Sequence, residues 1–180
     1  KLERGKSLSN RNFVVVDIGR ARSSLIFWRE QRYFNLDTIE FTVSMPFSGR
    51  DITETIKDKL QLTGEQAEKL KVMCGLTEGE PCRGMLQTIL APMLQDFIHR
   101  LREAQDFHNS HFEGATIAKI LLIGGDANLK DLDTFLSKET GIPVERGDPL
   151  INIKNRQAVS SSEALRYCTA IGLALTEFYL

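Results

Sequence analysis

FVVVDIGRARSSLIF, residues 13–27, decides the fold class by where its β-branched run stops. Three consecutive valines favour extended backbone, because branching at Cβ costs χ1 freedom in a helix and packs well on a pleated surface. The run ends at Asp17-Ile18-Gly19, and the apolar segment SSLIFWR follows at once after Arg22. Strands are therefore expected over 12–18 and 23–29, joined by a turn at Gly19. KILLIGGDANLKDL, residues 119–132, repeats the arrangement: an apolar run stops at Gly124-Gly125 and a helical pattern begins. A strand that stops at glycine lets backbone N–H groups approach a phosphate or nucleoside with no Cβ in the way. Two such turns, about a hundred residues apart, point to a nucleotide site assembled from distant segments.

Further strands are expected at Tyr33-Phe34 and over 37–45, where Ile39, Phe41 and Val43 alternate with polar neighbours. Such alternation implies a sheet covered on one side. The period then changes. Ile52, Ile56 and Leu60 recur every four residues, so a helix should begin near Asp51. Thr63 to Gln66 has the form of a capping box opening a helix to about Met73. Residues 75–84 read as loop. A long apolar face from Met85 to Leu101 follows, with Pro92 expected to kink that helix or start a new one. Ile120 to Ile123 suits a buried parallel strand. A helix over 128–139 should close at Gly141. Pro143-Val144 reads as a last short strand, and Ser160 to Glu163 as the cap of a C-terminal helix. Strands, helices, then strand–helix–strand–helix is the order of an α/β domain with a helical insertion.

With 180 residues, 42% hydrophobic and 26% charged, the chain has the composition of a globular domain long enough to bury a core. A net charge of −1 argues against a nucleic-acid surface, which needs a clustered basic excess. No window approaches the roughly 18 apolar residues of a membrane span. The basic, polar start KLERGKSLSNRN lacks the apolar stretch of a secretory signal, and the absence of an initial Met suggests part of a longer product. Cys74, Cys82 and Cys168 are odd in number and lack CxxC spacing, which fits free thiols in a reducing cytoplasm. His99, His108 and His111 have no cysteine or carboxylate at metal spacing, so they are expected to face solvent near a helix end.

The hairpin at Asp17-Ile18-Gly19 resembles the second phosphate-binding hairpin of the actin-like ATPase superfamily, and ILLIGGDANLKDL resembles its adenosine-binding turn. SGRDIT at Ser48–Thr53, AEKLK at Ala67–Lys71, GIPVERGDPL at Gly141–Leu150 and YCTAIGLAL at Tyr167–Leu175 narrow the resemblance to the PilM family. These are actin-like proteins of type IV pilus assembly, related to the division protein FtsA. The resemblance runs from about residue 12 to the C-terminus. It implies an α/β, ribonuclease H-like lobe with a mixed sheet flanked by helices. By it, 1–11 is a polar N-terminal segment and 12–180 the C-terminal lobe. Residues 12–47 and 115–180 would form subdomain IIA, and about 48–114 an inserted subdomain IIB. One phosphate hairpin has no counterpart here, so the lobe would be half of a nucleotide cleft.

The resemblance also implies roles. Asp17 would hold Mg through its waters and help place the attacking water. Gly19 and Arg20 would present backbone N–H groups to the phosphates of ATP or ADP. Arg20 replaces a small residue there, and its guanidinium could bind phosphate directly. Glu68 and Lys71, three apart on one helix face, would contact ribose and adenine, although spacing alone fits an exposed ion pair equally well. Gly124 and Gly125 would approach the adenosine edge, with Asp126 where a small residue is more usual. The implied function is an ATP-binding scaffold, at most a slow ATPase, cytoplasmic and reaching the inner membrane only through partners. Its partners would be other pilus assembly proteins and the cytoplasmic tail of PilN, docked on the absent lobe; no nucleic-acid partner is expected, and a homo-oligomer stays open. Two alternatives stand beside it: an interaction module that has lost nucleotide binding, which Arg20 and Asp126 favour, and a fragment of a small-molecule kinase on the same fold.

Overall fold

In the computed structural model the described residues are 11–31, 36–76, 84–112, 116–151, 153 and 159–176. Five strands form one mixed sheet in the order β3-β2-β1-β4-β5. β1 (Arg11–Ile18), β2 (Ser23–Gln31) and β3 (Leu36–Met45) are an antiparallel meander. β4 (Ile117–Ile123) lies parallel to β1, and β5 (Val144–Arg146) parallel to β4. The expected strand at Tyr33-Phe34 lies outside the described residues.

β1 is the centre of the sheet, with Val16 opposite Leu25 on one side and Leu122 on the other. Both of its faces are buried, since Phe13 and Val15 are covered as well as Val14 and Val16. The expectation of a sheet covered on one side fails at this strand, where four successive apolar residues are all buried, and holds along the end of β3, where Thr42 and Ser44 are exposed and Met45 is buried. β3, at the sheet edge, departs from its alternation. The ladder pairs Phe27 with Phe41 and Trp28 with Ile39, so Glu40 is an extra, bulged residue. A bulge reverses the alternation beyond it. Ile39 is consequently exposed, and the Glu40 side chain is buried.

Between β3 and β4 come α1 (Gly49–Leu60), α2 (Gly64–Met73) and α3 (Met85–His111). Ser48 caps α1 by accepting from the Asp51 amide. Thr63 and Gln66 form the expected reciprocal capping box on α2. α3 runs through Pro92 as one helix. Its buried Leu86, Leu90, Leu94, Phe97 and Leu101 share a core cluster with Val14, Val16, Leu25 and Phe27 of the sheet. Each such fully buried side chain contributes about 1.5–3 kcal/mol relative to exposure. After β4 a 3₁₀ turn (Gly125–Asn128) leads to α4 (Leu132–Thr140), closed by Gly141 in the left-handed region at φ 71°. α5 (Ser161–Ala164), capped by Ser160, passes through a 3₁₀ turn (Leu165–Tyr167) into α6 (Cys168–Thr176).

Two sequence expectations fail beside α3. His108 is fully buried and pairs through Nε2 with Glu40, which Arg29 also meets at 2.7 Å; His99 and His111 are the exposed ones. Cys74 is disulfide-bonded rather than free; Cys82 lies outside the described residues, and Cys168 is free. Among the described residues no helix is long and apolar enough to cross a membrane.

Candidate functional site

The two glycine turns meet. β1 and β4 are parallel neighbours with Asp17 opposite Ile123, so both chains leave the sheet at the same edge. Gly124 has φ 89°, and a Cβ built there would lie 2.5 Å from Asp17 Oδ1 and 2.5 Å from the Ile18 carbonyl. Only glycine accepts both that backbone conformation and that approach. The Gly124 amide donates to the Leu165 carbonyl at 3.2 Å, and Asn128 Nδ2 donates to the Ser162 carbonyl at 2.7 Å. The C-terminal segment is thereby pinned onto the turn.

The hairpin is tied down from the other side. Gly49 and Arg50, at the start of α1, donate their amides to the Gly19 and Arg20 carbonyls at 3.0 and 2.9 Å. Those amides would otherwise be orphan donors of a helix N-terminus. The Gly19 amide itself donates to the Arg22 carbonyl at 3.1 Å. The phosphate contact expected of the Gly19 N–H is therefore already taken up in closing the turn.

A third contact brings in α2. Lys71 is 6% exposed, and its Nζ lies 2.7 Å from Asp126 Oδ1, 3.0 Å from Glu68 Oε2, 3.1 Å from Thr53 Oγ1 and 3.4 Å from the Gly49 carbonyl. The Thr53 hydroxyl is 2.7 Å from Glu68 Oε2. Asp126 rests where a side chain on Gly49 would have to go. Gly49 and Thr53 escaped notice in the sequence because their roles depend on Asp126 and Lys71, far away in the chain. The SGRDIT resemblance was the only signal at that place.

Asp17, Gly19, Arg20, Glu68, Lys71, Gly124, Gly125 and Asp126 all line one cleft of about 700 Å³, together with Arg50, Thr53, Arg166 and Cys168. A second hollow of about 460 Å³ shares Glu68, Lys71, Gly125, Asp126 and Arg166 with it and extends to Val72, Leu129 and Arg146. Burial raises the Asp17 carboxyl above its usual range, and among the described residues no lysine or arginine pairs with it. Burial also pushes the Cys168 thiol up, aided by the Asp17 charge and opposed by the Gly124 amide. For Glu68, burial acts upward as the largest single influence. The hydrogen bonds from Thr53 and Lys71 and the charges of Lys71 and Arg20 together outweigh it, so the carboxyl falls below its usual range. Among the described residues no cluster of three or more His, Cys, Asp or Glu could hold a metal ion. Any cation at Asp17 would need ligands from a bound molecule, as Mg does with phosphates.

The family profile described as type IV pilus assembly protein PilM matches residues 5–178. This chain belongs to the PilM family. Among solved structures, a PilM-PilN type IV pilus biogenesis complex is similar at TM-score 0.72 and 23% identity, covering 92% of this chain and 46% of that one. The ethanolamine utilization protein EutJ from Carboxydothermus hydrogenoformans is similar at TM-score 0.59 and 16% identity, covering 92% and 48%. MreB5 of Spiroplasma citri bound to ADP is similar at TM-score 0.62 and 14% identity, covering 94% and 54%. These likenesses establish the actin-like ATPase fold. The PilM-family chain spans about half the length of the structures it matches.

Proposed function

We propose that this PilM-family chain is one wall of a magnesium–adenine nucleotide cleft in a scaffold protein of type IV pilus assembly. The observation that carries the reading is the convergence of two distant glycine turns on a half-buried carboxylate, Asp17. The residues fit the group. Asp17 has no cation partner among the described residues, and a hydrated Mg would supply one; Gly124 keeps the approach open. Arg20, exposed beside the hairpin, would meet phosphate oxygens. Gly125, which leaves its position free of a side chain, would lie along the nucleoside. Glu68, half exposed, would accept a ribose hydroxyl. Bound Mg-ATP would supply a hydrolysable phosphoanhydride, and the role read here is binding first and slow hydrolysis at most.

The PilM likeness comes from a complex with PilN, and we extend that partner here. A PilN-like cytoplasmic tail would dock on the part of the protein beyond these residues, holding the assembly at the inner membrane. A second reading, an interaction module without nucleotide, is favoured by the Gly19 amide already engaged and by Lys71 already surrounded by acceptors. Calorimetric titration of the full gene product separates them. Saturable, Mg-dependent heat with ADP supports the cleft, and its absence at millimolar ADP supports the module.

A further inference from the structure

Lys71 offers nothing to a ligand. Its ammonium has three N–H donors and already faces four acceptors within 3.4 Å, on Asp126, Glu68, Thr53 and Gly49. Its side chain is 8% exposed, against 52% for Glu68. Only Oε2 of Glu68 is engaged by described residues, leaving Oε1 available at the cleft. Arg166 is exposed, lines both hollows, and passes 3.6 Å from the position of a Cβ on Gly125. No ion-pair partner holds it among the described residues.

We infer that Lys71 is a positioning residue, pinned by Asp126 so that α2 is held against the Gly124-Gly125 turn with Glu68 presented to the cleft, and that Arg166 is the cation that meets the ligand at this end. The inference rests on the nucleotide reading above and departs from it at one point: the residue expected to touch the nucleoside is a strut. The chemistry agrees. With both carboxylates ionised, Lys71 together with Asp126 and Glu68 carries a net charge of −1, so this cluster offers an anionic ligand no positive charge. An exposed guanidinium over a glycine turn brings both charge and a flat face for a base.

The test uses the full gene product with Mg-ADP as probe, reading melting temperature and dissociation constant together. Lys71→Met leaves the part-buried Asp126 carboxylate without its lysine and should lower both stability and affinity. Lys71→Met with Asp126→Leu removes both charges, and leucine branches at Cγ as aspartate does. A buried ion pair replaced by apolar residues of similar volume is commonly neutral or better. The double variant should therefore regain the melting temperature and bind within about threefold of wild type. The Glu68 carboxyl should titrate at higher pH in it, because the hydrogen bond and charge of Lys71 help hold it down. Arg166→Ala should keep the wild-type melting temperature and bind at least tenfold more weakly.

A double variant that regains stability but not affinity would make Lys71 a ligand contact and overturn the inference, as would wild-type binding by Arg166→Ala. A double variant that regains no stability would show that Asp126 does not pin Lys71. If wild type binds no Mg-ADP, the nucleotide reading fails, while the recovery of melting temperature in the double variant still decides whether Asp126 pins Lys71.

Discussion

Gly124 lies against the carboxylate of Asp17, so closely that a methyl group at its Cα would come within 2.5 Å of Oδ1. The contact joins the ends of β1 and β4 where both leave the sheet, and it leaves Asp17 half buried with its carboxyl raised.

Gly124→Ala should be destabilising on two counts. A non-glycine residue at φ 89° is strained by about 1–3 kcal/mol, and the new methyl must push Asp17 or the Ile18 carbonyl aside. Urea denaturation should show a loss of about 2 kcal/mol or more. Gly64→Ala is the control, because nothing lies within 4 Å of a Cβ there and its helical position should tolerate alanine.

Asp17 and Glu68 should act oppositely on stability as pH changes. The folded-state value of Asp17 is raised, so ionised Asp17 costs stability above that value, and the cost is relieved as pH falls through it. Glu68 is lowered, so its contribution is present above its unfolded value and is lost as pH falls through the folded one. Asp17→Asn should therefore melt higher than wild type at pH 7, with the gap narrowing in acid. Glu68→Gln should melt lower at pH 7 and converge with wild type in acid. Melting temperatures from pH 7 to pH 3 check both signs.

Glu40 should matter far more than its edge-strand position suggests. Its side chain is 6% exposed and is shared by Arg29 and by His108, itself 1% exposed. Glu40→Ala removes the carboxylate that His108 and Arg29 share and should cost about 3 kcal/mol. Glu65→Ala, which removes an ion pair with both partners at least 70% exposed, should change stability by less than about 0.5 kcal/mol.

What the sequence disclosed and what it hid follow one physical division. The Thr63–Gln66 capping box closes within four residues, so its chemistry is complete in the local sequence. The ends of β1 and β4 were legible because a β-branched or aliphatic run stopping at glycine needs no distant partner to be understood. The bulge at Glu40 was not, because it exists only in the register with Trp28. His108 looked like a solvent-facing residue because its partner is 68 positions away. Gly49 passed as an ordinary helix start, yet it is glycine to admit the Asp126 carboxylate. Family resemblance placed all the proposed contacts in one cleft; only the contacts themselves separate Lys71, which is enclosed, from Glu68, which is not.

Amide chemical-shift mapping of the full gene product during titration with Mg-ADP tests the nucleotide cleft most directly. Saturable shifts at Asp17, Arg20, Gly124, Gly125, Glu68 and Arg166, absent when Mg is withheld or when Asp17 is replaced by Asn, are the expected result. Unmoved signals at those residues under saturating Mg-ADP would contradict it.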